Sequence, residues 1–201
     1  MNLGIVRSLC AGTILGFALC GVTFAAPIAA QPQLATWMEH IMLVKLQNLP
    51  KNYSCYDLWY KFRDVLQKIG ARPDWKITTH GCFFSGDAPA RSPQVELRFY
   101  LPQALSPAQA RWADVKAVSR TMSLRAGDGG SHGLDNSDCE LLKQINDELL
   151  PALPVHVLDA RLDCGSPAQR HHGYLVSVQA LSALPPKPAT PAQPAKAAAT
   201  H

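Results

Sequence analysis

Residues 138–181, DCELLKQINDELLPALPVHVLDARLDCGSPAQRHHGYLVSVQAL, decide the fold, because residues 54–105 resemble them in outline. The later stretch opens at Asp138-Cys139-Glu140 on a run with helical apolar spacing. A β-like run closes at Cys164, and a second ends in Gln179-Ala180-Leu181. The earlier stretch opens at Ser54-Cys55-Tyr56, reaches Cys82 through a β-like run, and ends in Gln103-Ala104-Leu105. The pattern predicts an α+β protein of two related, cysteine-framed α-β-β halves. They share an antiparallel or mixed sheet, with two helices on one face.

The first helix is expected from Ser54 to Gly70. Ser54 can accept a hydrogen bond at the helix start, and Asp57 favours the positive end of the helix dipole. Leu58, Phe62, Val65, Leu66 and Ile69 recur every three or four residues and form one apolar stripe, which Trp59 widens. Gly70 suits the left-handed residue that closes a helix, and Pro73 prevents its continuation. Trp75 to Thr79 then reads as a strand leading to Cys82. A helix rises ~1.5 Å per residue and a strand ~3.3 Å, so the short strand returns the chain to the level of the helix start. This predicts the bond Cys55–Cys82.

The same reasoning applies to the second half. Asp138 is expected to cap a helix whose stripe is Leu141, Leu142, Ile145, Leu149 and Leu150, stopped by Pro151 and Pro154. Val155 to Leu158 alternate toward Cys164, which predicts Cys139–Cys164. Each closed loop should stabilise by roughly 3–4 kcal/mol in the chain-entropy model. Val95, Leu97, Phe99 and Leu101 alternate with Glu96 and Arg98, which marks a half-buried strand. Tyr174 to Val178 is its counterpart. Ile41-Met42-Leu43-Val44, within residues 37–49, suits a helix or a buried strand by periodicity. A strand there would make each half β-α-β-β. Pro102 and Pro107 mark a break between the halves, followed by a strand within residues 113–125. The pseudo-repeats span about residues 40–105 and 113–183.

The flanks differ in composition. Arg7 followed by an apolar run to Ala25 reads as an export signal over residues 1–30, with cleavage after Ala25 or Ala30. Once it is removed, no integral span is expected. Residues 184–201 are rich in Pro, Ala and Lys and should form a disordered tail. Residues 31–183 remain as a single stapled domain. Four cysteines in this exported body indicate the periplasm or secretion.

Nineteen basic residues face 15 acidic ones, for a net charge of +4. They form no block, so no nucleic-acid partner is expected. No Gly-x-Ser-x-Gly elbow or Cys-x-x-Cys spacing is present, and His80, His156, His171 and His172 have no ligand spacing. Neither a catalytic residue nor a cofactor is predicted. Asp128, Asp135, Asn136 and Asp138 share a Gly-rich loop and form a candidate calcium site, although EF-hand spacing is missing. The aromatic residues Tyr53, Tyr56 and Tyr60, with Phe83 and Phe84, form the candidate binding surface. The second half has Glu140 and Gln144 in place of Tyr56 and Tyr60. The sequence thus points to a non-enzymatic binding or assembly module of the cell envelope, with a protein, peptide or glycan partner. The alternative is a secreted enzyme or an enzyme inhibitor.

Overall fold

The computed structural model describes residues 31–82, 92–126, 133–164 and 173–185. The expected signal, most of the tail, Phe83, Phe84, Asp128, His171 and His172 lie outside the described residues.

The chain opens with strand β1 (Gln33–Lys45), followed by helix α1 (Cys55–Lys68), β2 (Lys76–His80) and β3 (Gln94–Ala104). A 3-10 helix at Pro107–Trp112 leads to β4 (Val115–Arg125). Helix α2 (Cys139–Gln144) continues as a π-helical turn, Ile145–Leu149, and ends in a 3-10 turn at Leu150–Ala152. Strands β5 (His156–Arg161) and β6 (Leu175–Ala183) complete the order. Every strand pair is antiparallel. The six strands lie in the order β2-β3-β1-β4-β6-β5. The molecule is therefore α+β and mostly sheet.

Local chemistry sets the ends of α1. Ser54 Oγ accepts the Asp57 amide at 2.9 Å. At the far end Gly70 has φ +83°. The Gly70 amide donates to the Gln67 carbonyl and the Ala71 amide to that of Leu66, the paired bonds of a Schellman closure. A Cβ on Gly70 would also approach the Leu181 carbonyl oxygen of β6 to 3.2 Å. Glycine is therefore required there by backbone angle and by packing.

One core cluster spans the molecule. Leu58, Phe62, Val65, Leu66 and Ile69 of α1 join Val95, Leu97, Phe99 and Leu101 of β3. Leu141, Leu142, Ile145, Leu149 and Leu150 join Val176 and Val178 of β6. Cys55 bonds Cys82 with Cα atoms 5.1 Å apart, and Cys139 bonds Cys164 at 5.5 Å.

Four sequence expectations change in detail. Ile41-Met42-Leu43-Val44 is part of a strand, but one buried on a single face: Ile41 and Leu43 are exposed while Val44 is buried. Pro102 does not break β3. It pairs with Trp37 of β1, and its missing amide falls on the outer edge, beyond the reach of β2, which pairs only as far as Arg98. Strand β5 does not alternate cleanly. Its register shifts between Val157 and Asp159, and the bulge leaves Val157 and Leu158 both exposed.

The fourth change concerns Gln-Ala-Leu. In β3 the odd-numbered residues Val95 to Leu101 are buried, so Gln103 has core-face parity. In β6 the even-numbered Val176, Val178 and Ala180 are buried, so Gln179 falls on the opposite face. The two tripeptides are thus out of phase. The first three strands form one side of the sheet and the last three the other, and these tripeptides do not match across it.

The seam between β1 and β4 is short. Only Gln33, Leu34 and Ala35 pair, with Ala117, Lys116 and Val115. The two strands are staggered, so that they overlap only at their first residues, Gln33 of β1 and Val115 of β4.

Candidate functional site

Two polar groups of residues bear on function, one inside the molecule and one on α1. The interior group forms where the start of α1 meets the loop before α2. Lys61 lies on α1 and is buried, as is Asp138. Lys61 Nζ donates to Asp138 Oδ2 at 2.5 Å and to the Gly133 carbonyl at 2.9 Å, and it reaches Asp135 Oδ2 at 3.4 Å. Asp138 Oδ2 also accepts the Asp135 amide at 2.7 Å. Asp138 Oδ1 accepts the Tyr53 hydroxyl at 2.8 Å and lies 3.0 Å from Lys51 Nζ.

This arrangement bears on three expectations. Asp138 does not cap α2 with its side chain; its carboxylate turns toward Lys61 instead. Tyr53 leaves the aromatic surface, because its ring is buried and its hydroxyl satisfies Asp138. In the calcium candidate the Asp138 and Asp135 carboxylates both face ammonium groups, and a buried lysine at this point repels a cation. No described contact brings Asn136 to either carboxylate. Among the described residues no group of three His, Cys, Asp or Glu side chains is placed to hold a metal. His80 and His156 lie on opposite edge strands.

The electrostatics follow from the partners. Burial pushes the Tyr53 hydroxyl pKa far up, and the Asp138 charge adds to it. Tyr174, buried nearby, shifts the same way for the same reasons. Burial opposes the charge on Asp135, but the hydrogen bonds from Ser137, then Lys61 and Lys51, outweigh it and hold that carboxyl well below its ordinary range.

The second group is on the outside of α1. Tyr56, Trp59, Tyr60 and Arg63 are spaced i, i+3, i+4, i+7, the period that lines up side chains on one helical face. It runs beside the buried stripe of Leu58, Phe62 and Val65. Tyr56 is 59% exposed. Its hydroxyl lies 2.8 Å from that of Tyr60, and their rings meet edge to face at 4.5 Å. Tyr60 meets Trp59 edge to face at 4.9 Å. The Arg63 guanidinium sits over Tyr60 at 4.5 Å and Trp59 at 5.3 Å. Each side chain is thus held by the next, so its rotamer is restricted before any ligand arrives.

Of the expected surface residues, Tyr56 and Tyr60 come together, Tyr53 does not, and Phe83 and Phe84 are not described. The sequence reading missed Trp59 and Arg63, having assigned Trp59 to the core stripe. The same spacing that picks out Tyr56 and Tyr60 would have found both.

A cleft of about 780 Å³ opens beside the β1–β4 seam and includes Trp37, Arg72, Asp114 and Lys116 in its lining. Arg72 is held by both oxygens of Asp74, at 2.8 and 2.6 Å, and stacks on Tyr100 at 4.2 Å. Asp114 Oδ1 accepts the Trp37 amide at 3.2 Å. The described contacts thus commit Arg72 and Asp114 to the fold.

Among the described residues no helix is long and apolar enough to cross a membrane. Comparison of the chain with protein-family models, curated proteins and solved structures finds no match.

Proposed function

We propose that this chain is a non-enzymatic docking module of the periplasm or extracellular space, holding a protein partner on the aromatic face of α1. The observation that carries this reading is the interlocked row Tyr56, Trp59, Tyr60 and Arg63. Trp, Tyr and Arg are the residue types that dominate binding energy at protein interfaces, and held rotamers lower the entropy lost on docking. The two disulfides favour an oxidising compartment.

Enzyme chemistry draws less support. A general acid calls for a carboxyl kept uncharged in a cleft. Glu39, Asp74 and Asp135 are instead held below the ordinary carboxylate range. Hydrogen bonds from Arg98 and then Tyr100 lower Glu39, the Arg72 hydrogen bond lowers Asp74, and Asp135 is lowered as well.

We further read the two halves as copies of one β-α-β-β unit. The symmetric strand order supports this, as does a disulfide in each half that ties the helix start to the chain beyond an edge strand.

The test is site-specific crosslinking in the native envelope, with a photoreactive amino acid replacing Tyr56. A discrete crosslinked partner is expected. Trp59→Ala or Arg63→Ala, with unchanged melting, should cut its yield by roughly tenfold or more, as for other interface anchors. Equal yield from the substituted proteins would sink the reading.

A further inference from the structure

We propose that β1 pairs, antiparallel, with β1 of a second copy of this chain. The argument starts from the backbone. Even-numbered residues of β1 turn their amides and carbonyls toward β3, as Leu34 does in accepting the Leu105 amide. Odd-numbered residues turn toward β4. The Ala35 carbonyl accepts the Asp114 amide, and the Trp37 amide donates to Asp114 Oδ1. Pairing with β4 stops at Ala35. Among the described residues, no strand pairs with the outward backbone groups of Glu39, Ile41, Leu43 and Lys45. On the outer face of the sheet beside this edge, Ile41 is 65% exposed and Leu43 52%.

Natural proteins usually blunt such an edge with proline, a bulge, a dense row of charge or a covering helix. Gln144 of α2 covers it at Gln47, accepting the Gln47 amide at 2.9 Å and donating to the Gln47 carbonyl at 2.6 Å, and residues 39–45 lie before that contact. Here the register with β3 runs unbroken from Ala35 to Lys45, with no proline in β1.

The side chains identify the occupant. Residues 39–45 read Glu-His-Ile-Met-Leu-Val-Lys, which complements itself when reversed. With Met42 facing Met42 of the second copy across a two-fold axis, Glu39 meets Lys45 of the second copy and Ile41 meets Leu43 of the second copy. The axis repeats both contacts. All four residues have odd numbers, so these become the hydrogen-bonded pairs that an antiparallel ladder requires. Shifting the axis to Ile41 would set Glu39 against Leu43 and Lys45 against Trp37, so that neither charge meets an opposite charge in the second copy. Charge therefore selects the register, and opposite charges facing each other across strands favour the pair. Glu39 is prepared for this: Arg98 Nε and the Tyr100 hydroxyl both donate to Oε1, at 2.5 and 2.8 Å. Its Oε2 can then take the incoming ammonium. The result is a closed, isologous dimer with a sheet running continuously through both copies.

Sedimentation equilibrium of the disulfide-bonded protein tests this. The wild type should show a monomer–dimer equilibrium. Lys45→Glu and Glu39→Lys should each weaken it by roughly tenfold or more, since both cross-strand charge pairs become repulsive. An equal mixture of the two variants should dimerise, because one carries two carboxylates along the edge and the other two ammonium groups. If Glu39→Lys loses its fold with its Arg98 contact, Lys45→Glu and Ile41→Lys carry the test, as both side chains are exposed. A wild type that stays monomeric to its solubility limit overturns the proposal. So does a dimer that Lys45→Glu leaves unchanged.

Discussion

Lys61 and Asp138 show how much one buried residue depends on another. Asp138 accepts from Lys61, Tyr53 and the Asp135 amide, so its charge is compensated inside the core. Removing one partner leaves the other charged and dry, which typically costs about 3–5 kcal/mol. Lys61→Met or Asp138→Leu alone should lower the unfolding free energy by that order. The double substitution should cost clearly less than the sum, as a double-mutant cycle in denaturant would show. None of this could be read from sequence, for a physical reason. Asp138 has the chemistry of a helix cap and stands at a helix start, so local reading assigns it there. Its true partners lie 77 and 85 positions away. Local reading places Tyr53 on the surface for the same reason, since only a distant carboxylate gives its hydroxyl a buried role.

At the scale of elements, legibility follows locality. The ends of α1 were readable because Ser54, Gly70 and Pro73 act within a turn or two of themselves. The disulfide pairs were readable because helix rise and strand rise together return the chain to its start. Strand β1 was harder. An apolar run without alternation suits a helix, a strand buried on both faces, or a strand with one open apolar face, and only its neighbours decide. Strand β5 hid its bulge behind a clean alternation from Val155 to Leu158. Trp59 is ambiguous in sequence because it borders two stripes, one buried and one facing out. The disulfides support a quantitative expectation. Replacing Cys139 and Cys164 with Ser should reduce stability by roughly 3 kcal/mol, the chain-entropy value for a loop of this size. The far-ultraviolet dichroism at low temperature should be retained while the thermal midpoint falls.

At the scale of the molecule, stability should depend on pH through His40. Its ring stacks on Phe99 at 5.4 Å, and burial lowers its pKa below the ordinary value of 6.5. Such a base prefers to be neutral when folded. Its stabilising share is complete above pH 6.5, because neither folded nor unfolded histidine is then charged. It is lost as pH falls from there through the depressed folded value, because the unfolded chain binds the proton first. Unfolding free energy measured across this window should fall with acid in the wild type and fall less in His40→Gln. Equal slopes would remove His40 as the source. Asp135 acts in a lower window. Its folded pKa is depressed, so its contribution is present above the usual carboxylate range and is lost as pH drops further.

The three-pair seam between β1 and β4 has a consequence for how the chain can be divided. Each disulfide closes within its own half, and only the connector between β3 and β4 joins the halves covalently. A single proteolytic nick there would produce two fragments, each keeping three strands, one helix and one internal staple. They would be held together without a covalent link, by the core, the seam, the Lys61–Asp138 bridge with Tyr53 and Lys51 beside it, and the paired bonds between Gln47 and Gln144. Cut in this way, the molecule becomes a split protein whose reassembly from separate pieces reports on the strength of its own interior.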